Sequence, residues 1–132
     1  MVRTAHSADS ANVNLAYALI DANHVKRARD LVERQNLYVD ERMLQYFTTV
    51  ASTQENPRLL KDLFIVFNGR TSTLELNKLL ELATKKMYGK NDMESLEELS
   101  KEIDSTSFPL QHKLRTFFED FKRKQTESVE FD

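Results

Sequence analysis

The chain contains no cysteine, and only 2 glycines and 2 prolines among its 132 residues. Without cysteine there is no disulfide framework, no thiolate zinc site and no cysteine nucleophile. So little glycine and proline leaves scant material for hairpin turns or for a glycine-rich loop that cradles phosphate. No apolar run approaches the roughly 20 residues that cross a bilayer. Residues 1–11 have neither the apolar stretch of a secretory signal nor the repeated arginines of a transit peptide. Charge of one sign is lacking as well: 19 basic residues stand against 21 acidic ones, for a net charge of −2. No overall field therefore draws the chain to nucleic acid, and an anionic partner would have to meet a local basic face.

What is present suits packed helices: 40% hydrophobic and 30% charged residues in a length that fits one domain. Residues 1–11 are polar and aperiodic, which predicts a flexible tail. A first helix is expected from Asn12 to Ala22, with Leu15, Ala16, Leu19 and Ile20 on one face. After a turn at Asn23, a second helix puts Val25, Ala28, Leu31 and Val32 inward and Lys26, Arg27, Arg29 and Asp30 outward. Asp40 is placed to cap a third helix, with Met43, Leu44, Phe47 and Val50 as its stripe. Asn56-Pro57 reads as an N-cap followed by proline at the first helical position. It opens a fourth helix that buries Leu59, Leu60, Leu63, Phe64 and Phe67 and stops at Asn68-Gly69.

Ser72-Thr73-Leu74-Glu75 fits a capping box and opens a fifth helix that carries Leu76, Leu79, Leu80, Ala83 and Met87 inward and ends at Gly89. Asp92 is placed to cap a sixth, with Met93, Leu96, Leu99 and Ile103 inward. Pro109 is expected to start the last helix, striped by Leu110, Leu114, Phe117, Phe118 and Phe121, and residues 125–132 read as a second flexible tail.

The second, fourth and sixth helices align without gaps: Val25-x-x-Ala28-x-x-Leu31, Pro57-x-x-Leu60-x-x-Leu63 and Met93-x-x-Leu96-x-x-Leu99. The offsets are 57 − 25 = 32 and 93 − 57 = 36. A helix-pair period near 34 residues is the mark of stacked repeats, which bury a continuous core and need a terminal cap. The expected fold is all-α: a right-handed helical-repeat solenoid of about three helix-turn-helix units plus a C-terminal capping helix. The units fall at about 12–36, 40–68 and 72–104, the cap at 109–124, and the whole helical-repeat domain at 12–124. A seven-helix bundle without a true repeat is the alternative.

The stretch from Leu15 to Glu33 resembles a pentatricopeptide repeat. It has an apolar first helix, a small residue at Ala22, a turn at Asn23, and a second helix matching the family's V-x-x-A-x-x-L-[FV] at Val25, Ala28, Leu31 and Val32. The later units replace that alanine with Leu60 and Leu96. Over most of residues 13–122 the order of units is similar to the C-terminal region of the metazoan leucine-rich pentatricopeptide-repeat-containing proteins. Leu19-Ile-Asp-Ala-Asn-His-Val-Lys-Arg-Ala-Arg, Leu59-Leu-Lys-Asp-Leu and Leu114-Arg-Thr-Phe-Phe carry this likeness. It implies a module of a mitochondrial RNA-associated protein that binds and stabilises mRNA together with a small RNA-binding protein. It also implies that the chain is one part of a longer protein.

In that family a polar residue early in each first helix reads one base. The resemblance maps this role onto Asn14, whose amide offers both a donor and an acceptor; the plain alternative is an asparagine near a helix start. The corresponding later positions, near Met43 and Leu79, are apolar. Lys26, Arg27 and Arg29 are candidate contacts to the phosphates of single-stranded RNA, or else a solvated helix face, since Asp30 and Glu33 lie close by. His6, His24 and His112 show no metal-ligand spacing, and no carboxylate pair stands out for acid-base work. A non-catalytic protein with no cofactor and no metal is expected. Its function is RNA association or, alternatively, protein–protein interaction as a scaffold without RNA contact.

Overall fold

The computed structural model describes the backbone of residues 2–54 and 56–131 and the side chains of residues 11–54 and 56–124. Among the described residues the chain is all-α, with helices α1 (Val2–Asp21), α2 (Val25–Arg34), α3 (Glu41–Thr53), α4 (Pro57–Phe67), α5 (Thr73–Gly89), α6 (Met93–Thr106) and α7 (His112–Phe131). The alignment of the second, fourth and sixth helices survives, because α2, α4 and α6 begin at Val25, Pro57 and Met93.

Side-chain caps fix several helix starts. Met43 N donates to Asp40 Oδ1 at 2.8 Å, Arg58 N to Asn56 Oδ1 at 3.1 Å and Ser95 N to Asp92 Oδ1 at 3.2 Å. Each satisfies an amide that the helix itself leaves without an acceptor. Ser72 caps α5 through Leu74 N at 3.2 Å. Glu75 does not complete a capping box, because its buried carboxylate accepts from Gln45 of α3 and Lys78 instead.

The ends of α1, α2, α5 and α6 follow one device. His24 N donates to Leu19 O, Leu37 N to Val32 O, Asp92 N to Met87 O and Phe108 N to Ile103 O. In each case the intervening residue is left-handed: Asn23, Asn36, Asn91 and Ser107. These are Schellman ends, here built on asparagine and serine rather than glycine. Gly69 alone uses glycine's freedom at φ 82°, after α4. The expected glycine stop at Gly89 is displaced: Gly89 closes the helix and the left-handed turn falls on Asn91.

Other boundaries differ from expectation. The first helix begins at Val2 rather than Asn12, and the last continues to Phe131 rather than ending near Lys124. Neither added stretch holds a glycine or proline to stop a helix. The flexible tails expected at 1–11 and 125–132 lie almost wholly outside the residues whose side chains are described. The last helix starts at His112, not Pro109. Buried Asn77 of α5 holds the preceding segment out of helix, since its Nδ2 donates to Pro109 O at 3.1 Å and its Oδ1 accepts from Gln111 N at 2.8 Å.

The core runs through the whole array. Ala16 and Ile20 of α1, Ala28 and Val32 of α2, Phe47 of α3, Leu60, Leu63, Phe64 and Phe67 of α4, Leu76, Leu79 and Leu80 of α5, and Leu96 and Leu99 of α6 are all buried. Tyr17 stacks on Phe47 at 4.6 Å, and Phe47 on Phe67 at 6.2 Å. Leu15, expected inward, is 50% exposed, and Val13 takes its place in the core. Leu37, Val39 and Phe108 lie between helices and are buried as well.

The packing is centred on α4, which touches α1, α2, α3, α5 and α6, and nine of its eleven residues are buried. Its outward polar stripe is covered by side chains of the neighbouring helices. Arg58 bonds Asp62 at 2.6 Å, Asn23 Oδ1 at 3.1 Å and Ile20 O at 3.5 Å. Lys61 pairs with Glu98 of α6. Asn68 bonds Glu102 at 3.3 Å and Thr106 at 3.0 Å. Several links between successive helix pairs join residues 34 apart: Asn36 with Arg70, Ser52 with Lys86, Asn68 with Glu102, and Asn77 with Gln111.

Candidate interaction cleft

Helices α5 and α7 run in the same sense. Asn77 meets Gln111 near their starts, and further along Tyr88 meets Phe117 with ring centres 6.2 Å apart. Between these points they stand apart, and a cleft of about 700 Å3 remains. The α5 wall is Glu81, Thr84, Lys85 and Tyr88, whose i, i+3, i+4, i+7 spacing puts them on one helical stripe. The α7 wall runs from Gln111 to Leu114 and includes Phe117.

The sequence explains why α7 does not close the gap. Its apolar stripe is split in two. Leu114, Phe118 and Phe121 are buried, whereas Phe117 remains half-buried. Phe118 also lines a smaller hollow of about 330 Å3 with Ile103 and Phe108, on the α6 side of α7. Lys122 pins that side through Asp104 at 2.6 Å. Helix α7 thus touches α5 near its start and at Phe117, is tied to α6 through Lys122 and Asp104, and leaves its Phe117 edge partly open.

The cleft has an aromatic floor and a charged rim. Tyr88 is 58% exposed. Phe117 meets it edge-on and makes a second edge-on contact with Phe118 at 5.3 Å. Buried Thr84 satisfies its own hydroxyl by donating to Glu81 O at 3.0 Å. On the rim, Lys85 pairs with Glu81 at 3.4 Å. Lys113 and His112 are exposed and form no ion pair among the described residues. The rim therefore carries a cationic excess: two lysines against one carboxylate that is already paired.

The residues singled out from the sequence lie elsewhere and do not form one site. Asn14 is exposed on α1. Lys26 and Arg27 are exposed on the first turn of α2, beside exposed His24. Arg29 is engaged structurally, 3.4 Å from Glu102 of α6 and 3.8 Å from Glu33. Arg34, the next cation along the helix, pairs with Asp30. Sequence patterning assigned Phe117 to the core and left Tyr88 unassigned. The one available signal for the cleft was the doublet Phe117-Phe118, since adjacent helix positions cannot both point straight into one core.

Asp62, buried on α4 beside Arg58 and Lys61, is the described carboxylate whose pKa stands above the ordinary value. Burial raises it, and this outweighs the lowering by Lys61 and Arg58. Burial and nearby Asp21 likewise raise the Tyr17 hydroxyl. Among the described residues no group of three His, Asp or Glu stands close enough to hold a metal, and no helix is long and apolar enough to cross a membrane. Comparison with the profiles of known protein families, with curated proteins and with solved structures finds no match.

Proposed function

We propose that the chain is a non-catalytic helical-repeat interaction module and that a partner protein docks in the α5–α7 cleft. The observation that carries this is an apolar cleft of about 700 Å3 with an exposed tyrosine backed by phenylalanine. Tyrosine offers a large rigid contact with a polar tip, which is why it is enriched where interfaces concentrate their energy. Concave, mostly apolar sites between helices are the usual seats of ligands and peptides. A photo-crosslinking residue placed at Tyr88 in the cell should give one discrete protein adduct. The same residue placed at exposed Tyr38, before α3, should not. No adduct at Tyr88, or an adduct with RNA, would contradict the proposal.

The three helix pairs are taken as copies of one unit, in a short right-handed solenoid with α7 as its cap. Support comes from the links 34 residues apart and from left-handed turns at matching places, Asn23 with Asn91 and Asn36 with Ser107. The buried position of α4 argues for a tight curl about that helix rather than an open groove.

A second reading has one specific observation behind it. Lys26 and Arg27 are exposed and form no ion pair among the described residues, which favours the mitochondrial mRNA-associated role implied by the resemblance. In that case affinity for single-stranded RNA falls steeply with salt and is lost when Lys26 and Arg27 become glutamate. Salt-insensitive or absent binding would remove this reading.

A further inference from the structure

We infer that the α5–α7 cleft takes an acidic amphipathic helix of a partner protein; this rests on the docking function proposed above and names its ligand class. Three observations lead there. The first is length. From Glu81 to Tyr88 the α5 wall covers about 10 Å at 1.5 Å per residue, or two helical turns. Apolar anchors at i, i+4 and i+7 of an incoming helix cover the same distance, which is the usual helix-in-groove spacing.

The second is chemistry. The floor is exposed Tyr88 and half-buried Phe117, over buried Leu114. An extended strand would leave its backbone polar groups against this apolar floor, whereas a helix satisfies its own.

The third is charge. Lys113 stands unpaired on one lip among the described residues, and Lys85 stands on the other with a single carboxylate. The first turn of α7 lines the same lip, with the positive end of its dipole. Carboxylates flanking the apolar anchors of the guest meet this rim, and lysines are repelled by it. The cations are too few to track a phosphate backbone, which single-stranded nucleic acid requires. A second copy of the chain does not fit either. Its acidic helix, α6, already buries Leu96, Leu99 and Ile103 and has no anchor to offer.

The test uses the full chain and two labelled synthetic peptides of about sixteen residues, long enough to hold a helix. Both carry leucine at i, i+4 and i+7; one has glutamate at the flanking positions and the other lysine. Fluorescence anisotropy should show the glutamate peptide binding and the lysine peptide binding at least roughly tenfold more weakly. Tyr88→Ala should weaken the glutamate peptide roughly tenfold. The double variant Lys85→Glu, Lys113→Glu should reverse the preference, so that the lysine peptide binds better. All three positions are exposed, and circular dichroism should show the variants folded like the parent chain.

Equal binding of the two peptides, or an unchanged preference in the double variant, overturns the acidic ligand class. If that binding still depends on Tyr88, the docking cleft itself stands. Failure of both peptides to bind even at millimolar concentration, or displacement of the glutamate peptide by single-stranded oligouridine, overturns this inference. The crosslink at Tyr88 decides separately whether the docking reading falls with it.

Discussion

Helices α4 and α7 are both rich in leucine and phenylalanine, yet they occupy opposite extremes of the fold. Helix α4 is enclosed by α1, α2, α3, α5 and α6, and even its polar stripe is covered. Lys61 is 8% and Asp62 3% exposed. Helix α7 packs against α5 and is held by the Asn77 bridge at its start and the Lys122–Asp104 pair further along. The difference lies in how many apolar faces each presents. Helix α4 has Leu59, Leu60, Leu63, Phe64, Val66 and Phe67 buried around most of its circumference. Helix α7 buries only Leu114, Phe118 and Phe121 among its described residues and leaves Phe117 half-buried. Stability thus gathers at α4, and the open surface that serves binding gathers at α7, as expected when function draws on the less rigid elements of a fold.

The strongest way to break this contrast is to cut a large side chain from each helix. Phe64→Ala, at the centre of α4, should cost about 3–5 kcal/mol and unfold the whole chain in a single urea transition. Phe121→Ala in α7 should cost about 1–2 kcal/mol, because its site borders solvent and can relax. If the two lose equal stability, α4 is not the hub.

Next in size is the bridge that seats α7. Asn77→Ala removes the acceptor for Gln111 N and the donor to Pro109 O, and should cost about 1–2 kcal/mol. Hydrogen exchange should quicken in α7 before it does in α4. Uniform quickening would mean that α7 is not a separate unit.

A smaller effect concerns the polar cover of α4. Asp62 has its pKa raised by burial. A carboxyl whose folded pKa exceeds its unfolded value of 3.8 binds more protons when folded between those two values. Its contribution to stability is therefore fully present below 3.8 and is lost as pH rises through the folded value. Asp62→Asn does not titrate. Acidification from neutral pH should therefore stabilise the parent chain relative to this variant, as followed by urea melts across pH. A relative loss on acidification would mean that the pairing with Arg58 outweighs burial.

The smallest effect lies on α2. Changing Lys26 and Arg27 to glutamate should alter stability by no more than about 0.5 kcal/mol, since both are exposed, and should leave peptide binding in the cleft unchanged.

Much of the fold was legible in the chain because periodicity and capping are local. Asp40, Asn56, Ser72 and Asp92 cap the helices they were expected to cap. The aligned starts at Val25, Pro57 and Met93 are observed. The buried loop residues were harder, because no helical period reaches them. Leu37 and Phe108 follow left-handed Asn36 and Ser107 and are the apolar residues that close a Schellman end. That pattern is readable only once asparagine and serine are admitted in glycine's place. The start of α7 could not be read locally at all, because Asn77, thirty-four residues upstream, sets it.

The candidate site was less legible still. A cleft depends on how far two helices stand apart, and that distance is set by long-range links such as Asn77–Gln111 and Asp104–Lys122. Arg29 shows the converse: it reads as a free cation in the sequence and becomes a bridge to Glu102, seventy-three residues away, only in three dimensions.

Hydrogen exchange of the full chain, with and without the glutamate peptide, tests the central claim most directly. Amides of Glu81–Tyr88 in α5 and His112–Phe118 in α7 should gain protection on binding, while those around Lys26 and Arg27 in α2 stay unchanged. Protection confined to α2, or no change in α5 and α7, would contradict the assignment of the α5–α7 cleft as the docking site.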